Sequence, residues 1–166
     1  NGISYAGNWA IGNDGTLTSS PVFRTGTVGI ASYAFAETNL SSAVFPDSVK
    51  HIGDYAFYEC NQLTGINLGN GVVSVGRYAF AGCDILGRGN VSLGTSLETI
   101  GSYAFYNSPD LGNPSYGSLT LPDTVTSIGT YAFNGTYAWR NASGVIYIGD
   151  WVVGYVEGDS PLPSIT

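Results

Sequence analysis

Val49-Lys50-His51-Ile52-Gly53-Asp54-Tyr55-Ala56-Phe57 is the stretch from which the rest of the chain can be read. Its pattern, Val-x-x-Ile-Gly-x-Tyr-Ala-Phe, returns from Val72 through Val75, Gly76 and Tyr78 to Phe80, then from Leu97 to Phe105 and from Val125 to Phe133. A looser first copy keeps Thr27, Ile30, Ala31, Tyr33, Ala34 and Phe35. The anchors Phe35, Phe57, Phe80, Phe105 and Phe133 therefore lie 22, 23, 25 and 28 residues apart. A register that repeats at such intervals marks a solenoid, in which each unit buries its apolar face against the next. About five coils are expected.

Each copy has a second half. A Leu follows the Phe (Leu40, Leu63, Leu86 or Leu111), and then an alternating apolar pair: Ala43/Phe45, Ile66/Leu68, Val91/Leu93 or Leu119/Leu121. Alternation closed by Pro46, Gly69, Gly94 or Pro122 predicts one short, half-buried strand per coil, stacked in parallel. The gap from the Leu to the strand widens from Leu86 to Val91, and again from Leu111 to Leu119, through Gly, Asn, Pro, Ser and Arg. These residues suit surface loops, so the insertions fall on one face, which in repeat proteins is often the binding face. Periods of roughly 20–29 residues with apolar residues at fixed offsets identify the repeat type as leucine-rich, mainly β with irregular, turn-like convex segments.

Leu63-x-x-Ile66-x-Leu68, followed by Val72-x-x-Val75-Gly76-x-x-Ala79-Phe80-x-x-Cys83, resembles the BspA-like leucine-rich repeats of microbial surface proteins. The copy Leu121-Pro122-Asp123-Thr124-Val125-Thr126-Ser127-Ile128-Gly129 is closer still, with Leu-Pro at the strand end. The similarity covers about residues 24–136. It implies a leucine-rich-repeat solenoid and, from the family, a role in adhesion.

The ends carry a longer echo. Gly2-Ile3-Ser4-Tyr5-Ala6-Gly7-Asn8-Trp9-Ala10-Ile11-Gly12 matches Gly144-Val145-Ile146-Tyr147-Ile148-Gly149-Asp150-Trp151-Val152-Val153-Gly154 at a constant offset of 142. Trp9 and Trp151 are expected at equivalent places in short hairpins, with Tyr5 and Ile11, or Tyr147 and Val153, covering the open ends of the solenoid. Three segments follow: residues 1–23 as an N-terminal cap or the end of a preceding unit, 24–136 as the solenoid, and 137–166 as a hairpin-like segment leading toward a further repeat block.

Charged residues make up 10% of the chain, against about 25% in ordinary globular domains. Its 24 glycines are well above the usual share. A net charge of −7 argues against nucleic acid, since phosphate binding needs clustered Lys and Arg and only Arg24, Lys50, Arg77, Arg88 and Arg140 are present. No apolar run approaches the roughly 20 residues of a membrane span, so no membrane insertion is expected.

Catalysis needs a constellation of groups, and the sequence offers none. His51 is the one imidazole and reads as a solvent-facing strand residue. Asp54, Glu59, Asp84, Glu98 and Asp110 are scattered along the coils, not paired as an acid and a base. Asn13-Asp14-Gly15 reads as a turn and lacks the several oxygens calcium demands. Cys60 and Cys83, each three residues after a Phe, sit in adjacent coils; a spacing of about 4.7–4.9 Å permits a disulfide, while a small buried hydrophobe is the commoner role. No metal, cofactor or enzymatic activity is expected. Gly53, Gly76, Gly101 and Gly129 could supply a positive φ, but Ala31 at the same place in the first copy favours a steric limit set by the neighbouring coil. Asn39, Asn90, Asn134 and Asn141 head glycosylation sequons, which matter only in a glycosylating host.

One residue type remains to be explained. Tyr33, Tyr55, Tyr78, Tyr103 and Tyr131 precede the inward Ala-Phe in every copy. They should form a partly exposed ladder and are the candidate ligand contacts, because Tyr joins a rigid apolar ring to a polar tip. The expected function is a non-catalytic extracellular or cell-surface binding module that recognises protein or glycan surfaces through one face. The alternative is a structural spacer or self-assembling element of a tandem array, with self-association as its partner chemistry.

Overall fold

The computed structural model describes residues 2–141 and 144–156. In chain order the elements are β1 (Ile3–Ala6), β2 (Trp9–Asn13), β3 (Gly29–Ile30), β4 (Ser42–Val44), β5 (His51–Ile52), β6 (Gly65–Asn67), β7 (Ser74–Val75), β8 (Val91–Ser92), β9 (Thr99–Ile100) and β10 (Ser127–Ile128). They continue with a single helical turn α1 (Tyr137–Arg140) and the strands β11 (Gly144–Ile148) and β12 (Trp151–Val156). The chain is a β-solenoid of about four turns with almost no helix.

Two parallel sheets run along it. The longer has the order β1-β2-β3-β5-β7-β9-β10: β3, β5, β7, β9 and β10 come from the Ile (Val75 in β7) of each repeat and the residue before it, β2 joins them in parallel, and β1 pairs with β2 antiparallel. The shorter, β4-β6-β8, comes from the alternating pairs. One strand per coil is expected from the alternating pairs, and of the longer sheet only His51 is read as a strand residue; its two-residue strands β3, β5, β7, β9 and β10 are too short to show an alternation. In the fourth copy the expected strand at Leu119 and Leu121 is not formed. The eight-residue gap after Leu111 leaves that segment off the sheet, although both leucines still pack partly against the core.

The core is a stack. Phe35, Phe57, Phe80, Phe105 and Phe133 are all fully buried, their rings 5.1–5.4 Å apart and within 17° of parallel. Ile30, Ile52, Val75 and Ile100 are buried alongside, whereas Ile128 in the last coil is only half-buried because no further coil covers it. The coil closes through two successive turns around each Phe. The Ala56 N–H donates to the Gly53 carbonyl and the Tyr58 N–H to the Tyr55 carbonyl, and the second of these turns recurs in all five copies.

The repeated Gly is a steric requirement. A Cβ on Gly101 would lie 2.6 Å from the Gly76 carbonyl carbon, and one on Gly129 would lie 2.3 Å from the Ser102 nitrogen. Ala31 is tolerated because the N-terminal hairpin, not a coil, lies before it; its N–H donates to the Ala10 carbonyl.

The two end hairpins share one register. Ile3 pairs with Asn13 and Ala6 with Trp9, as Val145 pairs with Tyr155 and Ile148 with Trp151, and both carry a bulge at the same place. Their surroundings differ. β2 joins the long sheet through β3, and the Trp9 indole covers Gly29, where a Cβ would lie 2.5 Å from the ring. β11 and β12 form a sheet of their own, and Trp139 of α1 packs on Gly154. Tyr5 and Val153 pack against the core as expected. Ile11 and Tyr147 do not; they are exposed, because strand alternation turns them away from the face that carries Ala10, Ile146 and Ile148. Ser164-Ile165-Thr166, expected to lead toward a further block, lies outside the described residues.

Candidate functional site

The five tyrosines stand in a single file. Ring centroids lie 4.7 Å apart for Tyr33–Tyr55, 4.9 Å for Tyr55–Tyr78 and 4.7 Å for Tyr78–Tyr103, with planes within 10° of parallel. The file ends in a tilted pair, Tyr103–Tyr131 at 5.3 Å and 41°, beyond which Trp139 meets Tyr131 edge-on. Tyr33 and Tyr131 are exposed; Tyr55, Tyr78 and Tyr103 are half-buried. Because neighbouring rings face one another, the file presents ring edges and hydroxyl groups to solvent, not ring faces. A sugar cannot stack on the faces inside it, but its hydroxyls or a peptide backbone can hydrogen-bond along it.

The backbone under the file is strained. Tyr33, Tyr55, Tyr78, Tyr103 and Tyr131 all have φ between 53° and 60°. Each is the third residue of a turn, a position that favours Gly or Asn. A left-handed conformation costs an L-residue about 1–2 kcal/mol, and an aromatic pair returns about 0.5–1.5 kcal/mol beyond burial. The two nearly cancel, so fold stability alone gives little reason to keep Tyr over Gly. A second left-handed position falls two residues after each Phe, at Glu37, Glu59, Gly82, Asn107 and Gly135. The sequence raises a positive φ only at the preceding Gly, where a steric limit is the favoured reading, and signals neither left-handed position.

Two further tyrosines widen the stripe. Tyr58 and Tyr106 set their rings edge-on against Tyr55 and Tyr103, each at 5.5 Å. Both directly follow a Phe, a position held by Ala36, Ala81 and Asn134 in the other copies, so no periodic signal announced them. Hydrogen bonding to Glu59, assisted by burial and by the negative charge of Glu59 and Glu37, pushes the Tyr58 phenol up to about 12. The Tyr78 phenol is also raised, chiefly by desolvation within the file. Arg77 approaches the Tyr78 ring at 5.9 Å.

The remaining chemistry-bearing residues are quiet. His51 is exposed, and its Nδ1 lies 2.8 Å from the Ser74 Oγ on the outer face of the long sheet. Cys60 and Cys83 are buried and unbonded to each other; the Cys60 thiol donates to the Phe35 carbonyl at 3.1 Å. The Asn13-Asp14-Gly15 turn is held by its own side chains, with Asp14 bonded to Thr16. Among the described residues no three His, Cys, Asp or Glu side chains are grouped to hold a metal, and no helix is long and apolar enough to cross a membrane.

The opposite face is built differently. Where the fourth strand fails to form, a groove of about 650 Å³ opens between Asn90–Thr95 and Thr120–Thr124. Beside it, Arg88 pairs with Asp110 at 2.6 Å and faces Tyr116.

Stacked coils, two parallel sheets and a Phe column define a leucine-rich-repeat protein. Six copies of the BspA type Leucine rich repeat region match residues 28–142 and 112–151, and the chain belongs to that family. Among solved structures it is similar to a leucine-rich repeat protein of T. pallidum (29% identity, TM-score 0.58), covering 70% of this chain and 50% of that one. It is also similar to a leucine-rich repeat protein from Bacteroides ovatus (34% identity, TM-score 0.55, covering 64% and 26%). A leucine rich cell surface protein from Faecalibacterium prausnitzii shares the fold over 94% of this chain and 41% of its own length, at 22% identity and TM-score 0.71. The chain thus spans half or less of each of these three. No curated protein matches it.

Proposed function

We propose that this chain is a non-catalytic binding module of a microbial cell-surface protein, and that the tyrosine file is its contact stripe for protein or glycan ligands. The observation that carries the reading is the strained backbone: five bulky residues sit where Gly would be unstrained, and strain of this kind concentrates at binding and active sites. The family supplies the surface setting. In this reading residues 24–136 carry the contact surface, and the segments 1–23 and 137–166 flank it. Ring edges and hydroxyls at a spacing of 4.7–4.9 Å suit hydrogen bonding to an extended surface more than enclosure of a small molecule. Incubating the purified chain with immobilised extracellular-matrix proteins and glycans tests it. Saturable binding to one class supports the module; absence of binding across the panel counts against it.

The alternative, a spacer or self-assembling element of a tandem array, is favoured by the shared register of the two hairpins. Concentration-dependent association in sedimentation, with no ligand bound, would favour it.

A further inference from the structure

The short sheet stops one strand early, and its last strand has donors to spare. In β4 and β6 the inward residues donate forward to the next coil: the Phe45 N–H to the Asn67 carbonyl at 2.9 Å, the Ile66 N–H to Asn90 at 3.0 Å and the Leu68 N–H to Ser92 at 3.0 Å. Val91 and Leu93 hold the same register positions, since Val91 pairs with Ile66. Their forward partners would be the carbonyls of Ser118 and Thr120, but that segment forms no strand, and among the described residues no acceptor meets either N–H. The coil is closed again on both sides of the gap. Leu111 is buried and accepts from the Tyr137 N–H, and the Thr124 hydroxyl donates to the Leu97 carbonyl at 2.7 Å. Between these fixed points lies the groove of about 650 Å³, with Val91–Leu93 on one wall and Thr120–Thr124 on the other. That volume lies within the roughly 300–1,000 Å³ of ligand sites.

We infer that this groove binds an extended polypeptide segment, which adds to β8 as the missing fourth strand of the short sheet, its carbonyls accepting from the Val91 and Leu93 N–H groups. Strand addition to an exposed edge draws its affinity from main-chain hydrogen bonds. An unpaired edge is a template for that pairing. The complementarity is specific, because two donors at alternate residues match the carbonyl spacing of a parallel strand and not that of a sugar polymer. The site shares no residue with the tyrosine file.

The test uses the whole chain and a blocked peptide copying residues 64–68, Thr-Gly-Ile-Asn-Leu, which in the protein pairs with the other edge of β8. Amide hydrogen exchange at Val91 and Leu93 is followed by NMR. Both amides should exchange readily in the free chain and slow by about tenfold or more with millimolar peptide. Ile66 and Leu68 donate forward, so the Asn amide between them faces back toward the preceding strand. The same peptide N-methylated at its Asn should therefore have no effect. Amides already protected in the free chain, showing that residues 118–121 close the gap themselves, would overturn the inference. So would exchange unchanged by the peptide, or equally slowed by the N-methylated form. The Tyr78→Ser/Tyr103→Ser variant should respond to the peptide as the parent does, which separates this site from the proposed stripe.

Discussion

The Cys83 thiol donates to the carbonyl oxygen of Phe57, one coil earlier, at a sulfur–oxygen distance of 3.3 Å. Three residues after each Phe stands a small donor, and each one found there satisfies a Phe carbonyl. Thr38 and Thr136 serve their own coils, and Cys60, Cys83 and Ser108 serve the coil before. The two cysteines are therefore members of a Thr/Cys/Cys/Ser/Thr series, retained for size and a polar hydrogen and not for a covalent bond. Burial pushes both thiols up, Cys83 well above its ordinary value, which keeps them protonated and donating.

Cys83→Ser keeps a donor at the position and should fold with a melting temperature close to that of the parent. Cys83→Val fills the space but leaves the Phe57 carbonyl only the long bond from the Cys60 N–H at 3.4 Å, a loss of one hydrogen bond that costs about 0.5–1.5 kcal/mol. Thermal unfolding of the two variants decides it: a valine variant as stable as the serine variant would mean the thiol bond adds nothing to the one from the Cys60 N–H.

Phe80 is at the centre of the column, stacked on Phe57 at 5.1 Å and on Phe105 at 5.4 Å. Phe80→Ala should cost about 3–5 kcal/mol and lower the melting temperature sharply, since each coil depends on its neighbours. An unchanged midpoint in calorimetry would contradict the packing register.

Tyr78 has a φ of 53°. Replacing it with Ala removes the stacking and keeps the backbone strain, whereas Gly removes both. Tyr78→Gly should thus be the more stable of the two by about 1 kcal/mol, the size of the left-handed penalty. Urea midpoints compare them directly, and an Ala variant more stable than Gly would show that the strain is absent.

Tyr58 ties stability to alkaline pH. Its phenol is raised in the folded chain from 10.0 to about 12, so the protonated form is favoured by folding. That contribution is fully present below about pH 10 and is lost as pH rises through about 12. The melting temperature of the parent should therefore fall over this window more steeply than that of Tyr58→Phe. Parallel curves for the two proteins would show that Glu59 and Glu37 do not act on the phenol.

How much of this could be read beforehand follows from what repeats. The Phe column and the steric role of Gly53, Gly76, Gly101 and Gly129 recur in every coil or nearly so, and a recurring residue declares its environment. The long sheet was legible only at His51, read as a strand residue; His51–Ile52 and its counterparts are strands of two residues, below the length at which alternation shows, so no second sheet followed from it. The left-handed backbone at Tyr55 and Glu59 was missed because side-chain identity there argues against it; only the closure of two tight turns around Phe57 explains it. Tyr58, Tyr106 and the open edge at β8 are departures from the repeat, which periodicity cannot announce. The insertion after Leu111 was visible, but that it pulls Leu119 and Leu121 off the sheet depends on how the coil closes at Thr124.

The central claim is that the tyrosine file is a contact surface, and the double variant Tyr78→Ser/Tyr103→Ser tests it most directly. It removes the best-stacked pair, 4.7 Å apart with planes 2° from parallel. Affinity for the matrix protein or glycan that the parent binds most tightly is measured together with the melting temperature of parent and variant. The account predicts binding by the folded protein weakened by about tenfold or more, as expected when central aromatic contacts are lost, with stability lowered only by the lost ring pairs, about 0.5–1.5 kcal/mol each. A large fall in stability with full affinity in the folded fraction would contradict it and assign the file to holding the coils together.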